Sequence, residues 1–277
     1  MLIRIALACC LSAFAAKADV LDRVRETGEI RLGYRMDAPP FSFVAESGAP
    51  TGLAHALCLR VAEAARVELG LERIEIRNVQ VTAADRFAAL TGGRIDLLCG
   101  PTTQTVARRA DLDFSIPYFI DGASVVFRAG PVTEIGALAG LPVGVLRGPT
   151  TEALLPGLLG RFDVKARPVA YATHDEGLSA LANGEIAAYF GDQAILKYQL
   201  GRMRPATPLQ FAEEQFSFEP YALAMRRGET RLRLIVDRSL SRIFNSGEIY
   251  GLIEEAMGEV TLSEITLAVY EVVTIPE

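Results

Sequence analysis

The sequence predicts an α/β protein built as two lobes with a cleft between them. Three observations carry this. Short β-rich runs alternate with helical patterns over residues 29–99, and the same succession starts again beyond Gly130. Two extended apolar runs, 124–128 and the much later 221–226, each end in a basic residue and read as crossovers. A chain that passes twice between two α/β units leaves the first one discontinuous. Residues 19–124 and 222–277 then form one lobe, 130–215 the other, and 124–129 and 216–226 the hinge crossovers. The length is sufficient for two modest cores.

Taken in order, 29–34 reads as a strand. Residues 53–69 read as a helix, with Leu53, Leu57, Val61 and Ala65 spaced four apart on one face. A strand at 73–79, a helix at 83–91 stopped by Gly92-Gly93, and a strand at 95–99 complete a largely parallel sheet. In the second unit 142–146 is a strand and Gly148-Pro149 opens a helix. A strand at 164–169, a helix at 175–183 capped by Gly184, a strand at 187–191 and a helix at 193–200 follow. The amphipathic helix 232–245 closes the first lobe. There is no internal repeat, low-complexity segment or coiled coil.

Residues 1–18 carry the marks of a signal peptide. Arg4 is the positive start, 5–16 the apolar core, and Ala16-Lys17-Ala18 a small-residue cleavage site before Asp19. The run is too short to span a bilayer, which leaves an uncleaved anchor or a buried first strand as the alternatives. The chain is therefore expected to be exported. Its net charge of −6 becomes more negative once Arg4 and Lys17 are removed, which disfavours nucleic acid and anionic membrane surfaces. No later apolar stretch is long enough to cross a membrane. Of four cysteines, Cys58 and Cys99 survive cleavage. In an oxidising compartment, on a helix and a strand end expected to be neighbours, they read as a disulfide; two buried free thiols are the alternative. Their spacing does not suit a metal.

Ligands in open α/β sheets bind beyond the carboxyl ends of the strands. Arg35 and Arg108 follow strands of the first lobe, and Thr150 and Asp192 occupy such places in the second. Residues 96–108 run from a strand through Gly100-Pro101 and the hydroxyls of Thr103 and Thr105 into an expected helix whose first turn carries Arg108. A helix N-terminus, hydroxyls and a guanidinium fork suit one carboxylate. On this stretch alone Arg108 reads equally as a solvated helix residue with threonine caps. No nucleophile elbow, phosphate loop or dinucleotide fingerprint occurs, so no cofactor is expected.

Several segments together carry a resemblance. They are Leu21-Asp22-Arg23-Val24 through Gly33-Tyr34-Arg35, residues 92–115 ending in Asp113-Phe114-Ser115, and Val143-Gly144-Val145 through Thr150-Thr151-Glu152. Gly191-Asp192-Gln193-Ala194 and Phe244-Asn245-Ser246-Gly247 complete the set. The chain resembles the periplasmic amino-acid-binding proteins of ABC importers, type II solute-binding proteins of family 3, with the glutamate/aspartate binders nearest. The resemblance implies a monomeric periplasmic receptor that closes on an amino acid and delivers it to a membrane permease. It implies that Arg108 clamps the ligand α-carboxylate with Thr103 and Thr150 beside it, and that Asp192 and the Pro101 carbonyl receive the α-ammonium. An aspartate before a helix is otherwise an N-cap.

Arg35, Arg86 and His174 match positions that face a side-chain carboxylate in acidic-amino-acid binders. A neutral ligand would leave that much positive charge uncompensated, so an acidic ligand is expected. Read singly, Arg86 is a solvated helix residue and His174 an ordinary loop histidine; His55 reads as structural. Ala83, Pro101 and Pro149 depart from the glutamate/aspartate pattern, where a serine, a small hydroxyl residue and a threonine stand. Residues 259–277 lack the aromatic ending common in the family. The competing readings are a dehydratase of the same fold acting on a cyclic carboxylate such as prephenate or arogenate, with His174 or Glu176 as acid, and a sensor for a separate signalling partner.

Overall fold

A computed structural model describes residues 19–276 except 204, 213 and 261; the expected signal peptide, 1–18, lies outside the described residues. The chain opens with α1 (Val20–Thr27), β1 (Glu29–Arg35), the short strands β2 (Asp37–Ala38), β3 (Ser42–Val44) and β4 (Pro50–Thr51), and α2 (Leu53–Glu68). It continues through β5 (Glu75–Val81), α3 (Arg86–Thr91), β6 (Leu97–Cys99), β7 (Leu112–Phe114) and β8 (Phe119–Asp121). The second lobe contains β9 (Ala123–Arg128), β10 (Pro142–Leu146), α4 (Thr150–Arg161), β11 (Arg167–Tyr171) and α5 (His174–Asn183). It ends with β12 (Ala188–Asp192), α6 (Gln193–Arg202) and β13 (Leu209–Phe211). The chain returns through β14 (Glu219–Tyr221) and β15 (Ala224–Arg226) to α7 (Thr230–Ser246), α8 (Glu248–Met257) and α9 (Glu264–Val273).

Each lobe is built on a five-stranded sheet, β5-β1-β6-β15-β7 and β11-β10-β12-β9-β13. In the first, β5, β1 and β6 are parallel, and β15 runs antiparallel to both β6 and β7. In the second, β11, β10 and β12 are parallel, and β9 runs antiparallel to β12 and β13. The reversed strand in each sheet is the one that arrives from the other lobe. The lobes are joined by β8 and β14, which pair antiparallel with Glu219 opposite Asp121. The run 124–128, read from the sequence as a crossover, therefore lies inside the second sheet as part of β9. Apolar extended character is common to both situations, so periodicity does not separate them.

Burial follows the pattern of the side chains. Leu53, Leu57, Val61 and Ala65 of α2 pack beneath Ile30 and Leu32 of β1 and against Leu232, Val236 and Leu240 of α7. In the second lobe Val125 and Phe127 meet Leu155 and Leu159 of α4 on one face, while Val126 meets Leu178 and Leu196 on the other, as the two-residue period of a strand requires. The helix expected at 83–91 begins only at Arg86. The Asp85 carboxylate accepts the Thr82 N–H at 2.6 Å and holds the preceding residues in a turn. The C-terminal α9 packs behind the crossover: the Tyr270 hydroxyl donates to the Tyr118 carbonyl at 3.1 Å and its ring lies 4.8 Å from that of Phe244.

Cys58 of α2 and Cys99 at the end of β6 are bonded, with Cα atoms 5.9 Å apart. The bridge closes a loop with a sequence separation of 41. It fastens a core helix to the strand end from which the loop 101–108 departs. The double variant Cys58→Ala/Cys99→Ala is expected to lose about 4 kcal/mol of stability on chain-entropy grounds. Denaturant unfolding of oxidised wild type and variant measures this, and equal midpoints would show that the bridge constrains nothing.

Candidate functional site

The candidate residues gather where the parallel strands of the two lobes end. Arg35 is the last residue of β1, Pro101 and Thr103 follow β6, and Asp192 is the last residue of β12. Arg86, Thr150 and His174 each open the helix that follows a strand. The lobes are in contact here. Gly148, at φ +99°, lies so close that an added Cβ would sit 2.9 Å from the Ala83 carbonyl oxygen of the other lobe, a place open to glycine alone.

Arg86 is buried at 2% exposure, and its Nε and Nη1 atoms have no hydrogen-bond partner. Its guanidinium carbon lies 4.3 Å from the centre of the Phe87 ring. Burial, together with the charges of Arg35 and Arg108, pulls its pKa well below the usual guanidinium range. A cation held this way is unfavourable until an acceptor arrives.

Arg108 does not open a helix, as the sequence had suggested. It starts a single 3-10 turn, Arg108–Ala110, which is too short to offer a dipole end. Thr105 is occupied locally, its hydroxyl accepting from the Arg108 N–H at 3.1 Å. The guanidinium is aimed instead by donation from Nη1 to the Thr103 carbonyl at 2.8 Å and by the Phe87 ring at 5.0 Å. Phe87 thus serves as a platform for both Arg86 and Arg108.

Arg35 is not free. Its Nε and Nη2 donate to the two carboxylate oxygens of Asp37 at 2.9 and 3.0 Å, a bidentate pair. His174 is buried, and its Nδ1 lies 3.2 Å from the Tyr189 hydroxyl. Burial first, and the charge of Arg35 second, push its pKa down to about 4. At neutral pH it is an uncharged hydrogen-bonding group.

Asp192 stands at the N-cap of α6 but makes no capping bond with its side chain. Its oxygens accept from the Thr151 hydroxyl at 2.8 Å and from the Tyr221 hydroxyl at 2.6 Å. Tyr221 also lies 3.2 Å from Asp121. Burial, reinforced by the charge of Asp192, lifts Asp121 to about 8. The tyrosine has one hydrogen, and the shorter contact, to Asp192, holds it more closely.

Glu219, in the returning crossover, bridges the lobes. It accepts from the Thr103 hydroxyl at 2.6 Å, from the Thr150 hydroxyl, and from Ser217 at 2.9 Å. Thr103 and Thr150 are themselves 3.3 Å apart across the cleft. Each threonine has a single hydrogen, and it goes to Glu219, so both oxygens present lone pairs to an incoming group.

Asp37, Phe87, Asp121, Glu219 and Tyr221 escaped the reading of the sequence. Asp37 was within reach, since a residue two places beyond a strand-end arginine emerges on the same side. Glu219 carried no local signal, lying 116 residues from Thr103 and 69 from Thr150. With them the charge balance changes. Asp37 pairs with Arg35, Asp37 and Asp192 act on Arg86, and Glu219 and Asp192 act on Arg108. The positive charge expected to await an acidic ligand is thus partly met from within, and what remains unmet is concentrated on Arg86. Glu176, the other candidate acid, is exposed and turned away, accepting from the Ala172 N–H at 3.0 Å at the start of α5. His55 bonds Asn78 through Nε2 at 2.9 Å, well within the first lobe.

Residues 30–259 match the family of bacterial extracellular solute-binding proteins, family 3. The chain is 29% identical over 231 residues to the L-glutamate/L-aspartate-binding protein of Pseudomonas aeruginosa, covering 83% of this chain and 76% of that protein. It is 25% identical over 251 residues to the glutamate/aspartate import solute-binding protein of Escherichia coli, covering 87% and 83%. Among solved structures, an ancestral arginine-binding protein bound to arginine superposes with a TM-score of 0.73 at 26% identity, covering 83% of this chain and 99% of that one. An ancestral amino acid-binding protein described as a precursor of cyclohexadienyl dehydratase gives 0.73 at 25% identity, covering 86% and 99%.

Proposed function

This chain belongs to the bacterial extracellular solute-binding proteins of family 3, and from that premise we propose that it is a periplasmic receptor for an α-amino acid whose side chain carries an oxygen acceptor, glutamate or aspartate first. The observation that carries this reading is Arg86, buried three residues from the Ala83–Gly148 contact between the lobes, with two donors unsatisfied. An acidic side chain supplies the missing acceptor and charge. Arg108 and the first N–H groups of α4 take the α-carboxylate. Asp192 takes the α-ammonium, helped by the oxygens of Thr103 and Thr150. The ligand touches both lobes, so it stabilises the closed form over the open one, and that differential affinity is the signal a permease reads. Relatives named for glutamate and aspartate support the choice; a structural neighbour bound to arginine shows that the fold alone does not make it.

The dehydratase reading has one point in its favour, the kinship with a precursor of such an enzyme. It needs a general acid protonated at neutral pH. His174 is uncharged there and Glu176 faces away, so neither residue expected to act as the acid fits that role, and the relatives named as binding proteins favour the receptor. The test is calorimetric titration of the protein, freed of carried-over ligand by unfolding and refolding, with glutamate, aspartate, arginine and prephenate. Saturable heat from an acidic amino acid and none from arginine is the expected result. Silence from the amino acids, or turnover of prephenate, would overturn it.

A further inference from the structure

Recognition of a side-chain carboxylate by two arginines requires both to be available, and Arg35 is not. Its ion pair with Asp37 is tight and sheltered, with the arginine side chain 3% and the aspartate 17% exposed. Asp37 acts on more than Arg35, because its charge is felt at both Arg86 and His174. It is the first residue of β2 in one lobe, and β2 packs against α5 of the other, the helix that His174 opens. A ligand side chain that reaches Arg86 therefore enters the field of a carboxylate already fixed on Arg35.

Two kinds of side chain experience this arrangement differently. A carboxylate gains Arg86 but is repelled by Asp37 and finds Arg35 already taken. A carboxamide puts its carbonyl oxygen on Arg86 and its NH2 group, a donor, toward Asp37. The acid has more charge to offer and the amide more satisfied hydrogen bonds. We propose that Asp37 is a specificity-determining residue, which weakens the preference for acids and admits glutamine or asparagine to the same cleft. This rests on the receptor reading above and refines its ligand class. Asp37 positions Arg35 as well as facing the ligand, so its effect is to be read from a ratio of affinities and not from affinity alone.

The experiment is titration of wild type, Asp37→Asn and Asp37→Ser with glutamate, glutamine, aspartate and asparagine, after thermal unfolding has shown each variant folded. Asn keeps the shape and loses the charge; Ser also releases Arg35. Wild type is expected to bind an acid and its amide within about tenfold of one another. Both variants are expected to raise the acid-over-amide ratio by about ten- to a hundredfold, Ser more than Asn. A wild type that already rejects the amides, or a ratio unmoved by either substitution, overturns the role of Asp37 and leaves the receptor intact. Absence of binding by all four ligands in wild type is the separate failure, that of the receptor reading itself, and the inference falls with it.

Discussion

Arg86→Met is expected to abolish binding of acidic amino acids and, at the same time, to make the ligand-free protein more stable. The two effects share one cause. In wild type the guanidinium is 2% exposed, lacks partners for Nε and Nη1, and is repelled by Arg35 and Arg108. A buried charge whose hydrogen bonds are incomplete opposes folding, and its replacement by an apolar side chain of similar length removes that cost. Methionine can keep the contact with Phe87, since sulfur packs well on aromatic rings. A gain of about 1–3 kcal/mol in ligand-free stability is expected, with a loss of at least about a hundredfold in affinity for the acid. Unfolding of the stripped protein and calorimetry measure the two separately. A destabilised variant would make Arg86 a structural residue and remove the main support for an acceptor-bearing ligand.

Arg108→Ala is expected to remove detectable binding of every α-amino acid, whatever its side chain. In the proposed binding mode its guanidinium faces the α-carboxylate, because Arg35 is paired with Asp37 and Arg86 is assigned to the side chain. Losing a bidentate charge-assisted contact in a closing cleft costs about 3 kcal/mol or more, a factor above a hundred. The fold should survive, because Arg108 is only half-buried and stands on a three-residue turn with one hydrogen bond from Nη1 to the Thr103 carbonyl. Arg108→Lys should not restore affinity, since an ammonium is a point charge and cannot match both oxygens. Unchanged affinity in the alanine variant would place the α-carboxylate elsewhere. Together the two substitutions separate the ends of the ligand: one acts on the side chain, the other on all ligands alike.

Much of this arrangement is legible in the sequence. The regular spacing of Leu53, Leu57, Val61 and Ala65 identified α2, and 142–146 was recognised as a strand at its observed bounds. Gly184 ends α5 in the left-handed conformation expected of it. The strand ends then placed Arg35, Thr150 and Asp192, because ligand sites of such sheets lie there. The pairing of Cys58 with Cys99 followed from compartment and neighbourhood. Where the reading failed, the reason was a competing local interaction or a distant partner. The helix anticipated at Arg108 is only a turn, in which Thr105 holds the Arg108 N–H. The run 124–128 has the composition of a crossover and the burial of a core strand.

By itself the sequence determined the α/β class, the two-lobed order and the positions of the cations, because periodicity, turn residues and charge are properties of neighbours along the chain. Only the tertiary structure decided which cations are still available. Glu219 returns through β14 to accept from Thr103 and Thr150, one in each lobe, and Asp37 closes on Arg35 while Nε and Nη1 of Arg86 keep no partner. Whether a buried charge is satisfied depends on every group the fold brings within a few ångströms of it, and those groups are drawn from segments that share no local pattern.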